Sequence, residues 1–302
     1  MIIIKTKTEP WYVEDYYNFV CKKISGVKSQ EVYSVVGLDQ FDIQTDHEQH
    51  TQSQGTKVAF INYEHNIVDS LCNCYYPLFS SYKVKGTQRL YYIRIEHPHR
   101  LDSSTIYIEY SVPNIENIKT SNQLDHLLHK IIYVPALVFD YYEQLEDREL
   151  YDVITSFYIV EQPGRTRRKK MLDQLTGLFS KYYNLQDVSG ETLRENYLKK
   201  SKILVNIHQT DFHHTVEELR ILPALLSGMI VVCEDSPLKE HIPYSKWIIW
   251  SDIDQIPGVV GSVLSNWNFY YQMIHGANSG LRQCFERMHL HLDEDLRRVV
   301  SG

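Results

Sequence analysis

No stretch of this chain stays apolar for the roughly 18 residues that a membrane-crossing helix needs. After Met1, the apolar residues 2–4 are cut short by Lys5 and Lys7, so a signal-peptide core is missing as well. The expectation is a soluble, cytoplasmic chain without a transmembrane segment. Cysteine is sparse: Cys21, Cys72, Cys74, Cys233 and Cys284 are five in number and scattered, which fits neither a disulfide framework nor a zinc motif. Excess positive charge is also lacking. A net charge of −7 and a pI near 6.0 argue against a nucleic-acid or membrane-surface footprint. G-x-G-x-x-G does not occur, which lowers a dinucleotide oxidoreductase reading, and neither a solenoid repeat nor a low-complexity tract is found.

What remains is a chain of 302 residues with 43% hydrophobic content, enough for two α/β domains of about 130 residues each. The division expected is an N-terminal domain over residues 1–138, a second over 151–265, and C-terminal helices over 266–302. The 23 tyrosines belong mostly to cores and strand faces, with some available to stack on sugar rings.

The most informative stretch is residues 201–235, SKILVNIHQTDFHHTVEELRILPALLSGMIVVCED. Residues 203–207 and 229–232 are short β-branched runs of strand length, reading as central parallel strands. Between them Val216, Leu219, Leu222, Leu225 and Leu226 recur at helical spacing before Gly228, which predicts a helix over residues 215–227. In open α/β sheets ligands bind beyond the carboxyl ends of the strands, where helix N-termini offer free N–H groups. That puts His208, Gln209, Thr210, His213, His214, Thr215, Glu217 and Glu218 at a candidate site. Amides near Thr215 suit a pyrophosphate, and a first-turn carboxylate suits ribose hydroxyls; Glu217 and Glu218 would equally complement the helix dipole.

The order strand, His, polar turn, E-x-R, apolar helix, Gly, apolar strand, Glu resembles the nucleotide-sugar-binding half of GT-B glycosyltransferases, including their exostosin-like and spore-protein-like branches. Those families tend to carry R-x-x-E-A-x-x-x-G before the second strand. Arg220, Ala224, Gly228 and Glu234 match, while Pro223 stands where the ribose-binding Glu usually sits, so either Glu218 takes over one turn earlier or the donor is held differently. The resemblance implies two Rossmann-like domains facing a cleft, with the last helices crossing back to the N-terminal domain. It also implies transfer from a UDP- or GDP-sugar to a glycan hydroxyl, with the nucleotide sugar as donor substrate rather than a cofactor and an oligosaccharide or glycoprotein as acceptor. The general look of the chain is similar to glycosyltransferases of large algal viruses acting on capsid glycan, which would put it in host cytoplasm.

Sugar transfer needs a cradle for the leaving phosphates and a base for the acceptor hydroxyl. Arg165, Arg167 and Arg168 cluster at the start of a helix whose apolar face is Met171, Leu172, Leu175, Leu178 and Phe179. With the Thr215 helix start they form the cradle, and Lys202 is a weaker addition. In the N-terminal domain, strands at residues 57–63 and 105–108 deliver Glu64, His65 and Glu109 as base candidates, and the switch-point rule turns these tips toward the same cleft. Glu109 opens a turn, EYSVPN, loosely similar to one in some GT-B-like transferases. Residues 66–80 are expected to supply a helix, 39–56 a mobile loop, 124–128 a short helix, and 139–150 a hinge. His208, His213 and His214 lack the i, i+4 spacing of a helical zinc site, so no metal is expected. The missing paired E…E motif favours inversion. The competing readings are a sugar-nucleotide epimerase or hydrolase of the same fold, and a non-catalytic sugar-nucleotide or glycan-binding module.

Overall fold

A computed structural model describes residues 2–5, 11–27, 32–38, 56–69, 78–83, 90–95, 105–122, 124–142, 148–157 and 166–301. Two compact α/β units emerge: residues 1–136 with 289–302, and residues 137–288.

The first unit is built on a parallel five-stranded sheet in the order β1-β2-β3-β7-β8. Its strands are β1 (Ile2–Lys5), β2 (Val32–Leu38), β3 (Thr56–Asn62), β7 (Ile106–Glu109) and β8 (Ile131–Tyr133). Every residue of β7 is buried, as expected of a central parallel strand covered on both faces. Helix α1 (Trp11–Gly26) buries Val13, Tyr16, Tyr17, Val20, Cys21 and Ile24, which share one face at helical spacing. The Tyr16 hydroxyl donates to the Val134 carbonyl at 2.7 Å and that of Tyr17 to Val35 at 2.9 Å, so both rings bury their apolar body without leaving the hydroxyl unpaired.

Between β3 and β7 lies a small antiparallel sheet, β4-β6-β5, formed by β4 (Ile67–Asp69), β5 (Leu78–Lys83) and β6 (Leu90–Arg94). The helix expected over residues 66–80 is therefore replaced at both ends by strand. Ile67 and Val68 are fully buried against Ile93 and Tyr92 of β6, and tertiary pairing of a β-branched dipeptide overrides a weak helical pattern. Helix α2 (Val112–Ser121) follows β7, with Pro113 in its first turn and Asn122 in the left-handed conformation at its end. The expected helix at 124–128 is a 3-10 turn over Asp125–Lys130. Val58, Phe60, Ile93, Ile95, Tyr107, Ile118, Leu124 and Leu127 form one core cluster that joins the two sheets through α2 and that turn. Residues 39–55 lie outside the described part.

The sheet of the second unit is also parallel and five-stranded, but its order is β10-β9-β11-β12-β13. These are β9 (Tyr151–Thr155), β10 (Tyr182–Asn184), β11 (Ser201–Asn206), β12 (Ile230–Glu234) and β13 (Ile249–Ser251). The first strand in sequence, β9, is flanked by the second and the third, so the order reverses between β9 and β11. That is the switch point at which a doubly wound sheet opens a crevice. Among the described strands of the first unit the order follows the sequence without reversing, so the switch-point rule does not apply to Glu64 and Glu109.

Helix α3 (Arg167–Leu178) joins β9 to β10, and the short α4 (Gly190–Asn196) precedes β11. Helix α5 (Glu218–Leu226) joins β11 to β12, with Ile221, Leu222, Ala224, Leu225 and Leu226 buried against the sheet. Gly228 has φ +79°, and a Cβ there would lie 3.1 Å from the Tyr142 carbonyl and inside contact distance of the Arg148 guanidinium. Arg148 is itself buried, donating to the carbonyls of Leu198 (3.0 Å), Ser201 (2.8 Å) and Ser227 (2.6 Å). Helices α6 (Ile256–Ser265), α7 (Trp267–His275) and α8 (Leu281–Ser301) complete the chain. The division between the units falls within α8, and in the first unit Lys23 pairs with Asp293 at 2.8 Å. Among the described residues no helix is long and apolar enough to cross a membrane.

Candidate functional site

Polar side chains collect at the carboxyl ends of strands in both units. In the second unit the site is built on the switch point. Helix α3 begins with two arginines where a sequence ordinarily places acids, so two cations crowd the positive end of the helix dipole. Both are compensated from neighbouring elements. Arg167 grips Glu234, the last residue of β12, with both terminal nitrogens at 2.7 and 2.9 Å, while its Nε lies 2.8 Å from Asp211. Arg168 is 4% exposed; its Nη2 donates to Glu217 at 2.5 Å and to the Ile207 carbonyl at 3.2 Å, and its guanidinium lies 4.9 Å from the centre of the Phe157 ring. Glu217 is shared with Arg220, one turn along α5. Burial and the adjacent Arg167 pull the Arg168 guanidinium down to about 10, against Glu234.

His208 follows the end of β11 and is 2% exposed. Its backbone N–H donates to Glu234 at 2.9 Å, and its Nε2 lies 3.0 Å from the Asp235 carbonyl. Since a carbonyl oxygen can only accept, Nε2 carries the proton. Burial lowers the pKa of this ring, opposed by Glu234 and by the Asp235 carbonyl and reinforced by Arg167 and Arg168. Burial alone would raise the Glu234 carboxyl, but His208 and Arg167 together hold it below the usual range. The His214 ring meets that of His208 edge-on at 5.4 Å, and its carbonyl accepts from Ser236.

Thr215 and Glu218 are fully buried, but α5 starts at Glu218 rather than at Thr215. The loop before it satisfies its own polar groups: the Thr210 hydroxyl caps the amides of Phe212 and His213 and bonds His213 Nδ1 at 2.6 Å. At the start of α5 the Glu218 amide donates to the Val216 carbonyl at 3.0 Å, and those of Arg220 and Ile221 donate to the Glu217 carbonyl at 3.0 and 3.2 Å. Lys202 is on β11 near its amino end, paired with Asp152 of β9 at 2.6 Å, and does not join the arginines. Arg165 lies outside the described residues.

In the first unit the centre is Glu109, at the end of β7 and completely buried. It sits in register opposite Asn62, the last residue of β3. Five N–H donors converge on it. Asn62 and Asn66 reach Oε2 at 2.7 and 3.1 Å, and Asn114 with the amides of Tyr110 and Ser111 reaches Oε1 at 2.8, 3.1 and 3.4 Å. The orientation of two amides is fixed independently, because Asn62 Oδ1 accepts from the Glu64 amide at 3.0 Å and Asn114 Oδ1 from the Asn66 amide at 3.2 Å. Burial pushes the Glu109 carboxyl up to about 8, against those donors. No cation is among its partners in this network.

Glu64 and His65 sit on the loop between β3 and β4 that this network clamps. The Glu64 carbonyl accepts from Asn62 at 3.1 Å and Asn114 at 3.3 Å. Arg94 binds the Glu64 carboxylate at 3.2 Å and the His65 carbonyl at 3.1 Å, and the Glu64 side chain keeps 17% exposure. Sequence reading places Asn66 at this strand tip beside Glu64 and His65 but misses Asn62 and Arg94. The only signal was a density of asparagines at strand ends, which local statistics assign to turns.

No protein-family model matches the chain. A curated relative, an uncharacterized protein of Acanthamoeba polyphaga mimivirus, is 29% identical over 173 residues, covering 55% of this chain and 56% of its own. The chain thus spans about half the length of that relative. Among solved structures, WaaG, a glycosyltransferase involved in lipopolysaccharide biosynthesis, is similar at 10% identity and a TM-score of 0.49, over 97% of this chain and 98% of that one. An alpha1,3-fucosyltransferase is similar at 10% identity and 0.47, over 97% and 89%. Anabaena Alr3699/HepE in complex with UDP-glucose is similar at 10% identity and 0.45, over 82% and 72%. These neighbours are glycosyltransferases or a complex with a nucleotide sugar, and a likeness at 10% identity assigns no activity to this chain.

Proposed function

We propose that this chain is a glycosyltransferase that moves a sugar from a nucleoside-diphosphate sugar, UDP- or GDP-linked, to a glycan hydroxyl, with inversion and without a metal. The observation that carries the reading is the arginine pair at the switch point of the second unit, Arg168 buried and Arg167 partly so. Arg167 and Arg168 stand at a helix N-terminus beside His208, at the carboxyl ends of parallel strands, where an anionic ligand finds cations, free amides and the helix dipole together. A diphosphate would take over part of the compensation that Glu217 and Glu234 now supply. Thr215, His214, Glu218 and Arg220 form the remainder of the proposed donor site.

In the transfer, the acceptor hydroxyl oxygen attacks the anomeric carbon, the bond from that carbon to the diphosphate oxygen breaks, and the hydroxyl proton passes to a base. Glu64 is the base we favour, because it keeps partial exposure and is oriented by Arg94, whereas both oxygens of Glu109 are occupied by N–H donors; His65 is next. The acceptor is a sugar hydroxyl on an oligosaccharide or glycoprotein, and location in a host cytoplasm belongs to the same proposal.

A second reading has its own observation. The arginines are already neutralised by carboxylates, which suits a neutral, hydroxyl-rich ligand and hence a non-catalytic sugar-binding module. Incubating the full chain with UDP, GDP, CDP and their common sugar derivatives separates the two. The transferase reading expects a thermal shift with at least one of them, and release of nucleoside diphosphate once acceptor glycans are added. A folded chain shifted by none would overturn it, and a shift with no release under any acceptor would leave the module.

A further inference from the structure

We infer that His208 selects the ligand by one of its hydroxyl groups: Nδ1 of its ring accepts a hydrogen bond from a hydroxyl of the bound nucleotide sugar. This rests on the proposed nucleotide-sugar reading and adds to it a specificity-determining contact.

The inference follows from proton bookkeeping in the site. The proton on Nε2 is committed to the Asp235 carbonyl at 3.0 Å, so in the neutral ring Nδ1 holds a lone pair. Nδ1 is buried and, among the described residues, has no hydrogen-bond partner. The donors around it are otherwise engaged: Arg167 with Glu234, Asp211 and the His208 carbonyl, and Arg168 Nη2 with Glu217 and the Ile207 carbonyl. A buried acceptor without a donor is uncommon and costly in a finished structure, so its natural complement is a group that arrives with the ligand.

That group must carry a proton. A phosphate oxygen, which only accepts, would meet the lone pair unfavourably; a hydroxyl meets it well. Arg168 Nε is likewise buried without a partner. The site therefore buries an unpartnered acceptor and an unpartnered donor, and a hydroxyl, alone among the groups of a nucleotide sugar in being both donor and acceptor at a single atom, can serve either once the ligand displaces what covers them. The arginines attract the anion, and the histidine tests what is attached to it. The hydroxyl comes from either the ribose or the transferred sugar.

The test measures binding to the full chain by calorimetry, using UDP, GDP, UDP-glucose, GDP-fucose and the 2′- and 3′-deoxy forms of whichever nucleotide binds. His208→Phe, which keeps a ring but no acceptor, is expected to weaken binding about tenfold, and His208→Gln, which keeps an acceptor oxygen, to recover most of it. A ribose contact shows the loss with the nucleoside diphosphate alone and again, in the parental chain, with one deoxy form. A sugar contact shows it only with the nucleotide sugar. If His208→Phe does not fold, the deoxy nucleotides and matched deoxy-sugar donors on the parental chain decide. Binding that ignores His208→Phe, or in that case every deoxy substitution, overturns the hydroxyl contact while leaving the transferase reading intact. No binding of any nucleotide or nucleotide sugar overturns both.

Discussion

Both units bury glutamates at the carboxyl ends of parallel strands, yet they hold them by opposite means. In the first, Glu109 is surrounded by neutral amides, and burial outweighs five N–H donors so that its carboxyl titrates near 8. In the second, Glu217 and Glu234 are gripped by Arg168, Arg220 and Arg167, and Glu234 stays below the usual range although it too is largely buried. Desolvation penalises the charge in both; only a cation within contact distance reverses the balance. A caged carboxylate with no cation serves best as a structural hub, whereas one balanced against arginines can exchange partners when an anion arrives.

The largest expected effect falls on the hub. Glu109→Ala strips the acceptor from five donors, and the chain should lose about 4 kcal/mol in denaturant unfolding. Glu109→Gln, which like the protonated carboxyl below about pH 8 carries one acceptor oxygen and one donor group, should recover most of it. Loss of less than about 1 kcal/mol in the alanine variant would mean that water replaces the carboxylate freely and that the cage is not sealed.

Next comes Arg167→Ala, which leaves Glu234 buried with its guanidinium gone. A stability loss of about 3 kcal/mol is expected. Arg167→Lys should restore little of it, because an ammonium cannot make the two-pronged contact at 2.7 and 2.9 Å. Full rescue by lysine would refute the geometric part of this account.

The third prediction sets the units against each other by pH. Glu109 binds its proton more tightly folded than unfolded, so its stabilising contribution is complete below about 4.5 and is lost as pH rises through about 8. His275 runs the other way. Its Nε2 donates to the Met229 carbonyl at 2.8 Å and its Nδ1 accepts from Tyr141 at 3.0 Å, and burial lowers its pKa to about 4. Its contribution is complete above the ordinary value of 6.5 and is lost as pH falls toward 4. Glu234 adds to the acid loss in the second unit. Hydrogen-exchange protection factors between pH 5 and 8.5 should therefore fall around residues 62–66 and 109–114 at the alkaline end and around 229 and 275 at the acid end. Parallel changes in both units would contradict the comparison.

The smallest effect is expected at Lys202. Its pair with Asp152 is partly exposed and near the amino end of the strand, so Lys202→Ala should cost less than about 0.5 kcal/mol and leave nucleotide affinity unchanged. Weakened nucleotide binding would return this lysine to the donor site.

Strand runs such as those of β11 and β12, and the Met171, Leu172 and Leu175 face of α3, are legible because a one-dimensional period reports which face is buried. The polar anchors were legible only as types. That Arg167 meets Glu234 depends on β12 lying beside β11, a pairing made by residues 67 positions apart. Asn62 and Asn114, read locally, are turn residues; their convergence on Glu109 exists only once β3 and β7 are in register. Sheet order is likewise invisible to periodicity, and for that reason the switch-point rule was extended to a unit whose strands run in sequence. The start of α5 was misplaced because Thr210 and the loop after it satisfy their own amides, an arrangement hydrophobic spacing does not encode.

Arg148 has a consequence for time rather than for equilibrium. Its guanidinium joins carbonyls 50, 53 and 79 residues away along the chain, so the loops it closes are long. Contacts of that span pay their entropy before they return anything, and they are expected to form late in folding. An interaction absent from the transition state leaves the folding rate almost untouched and acts on the unfolding barrier instead. The clasp from Arg148 to the end of α5 is therefore a determinant of native lifetime, governing how long the second unit survives between openings.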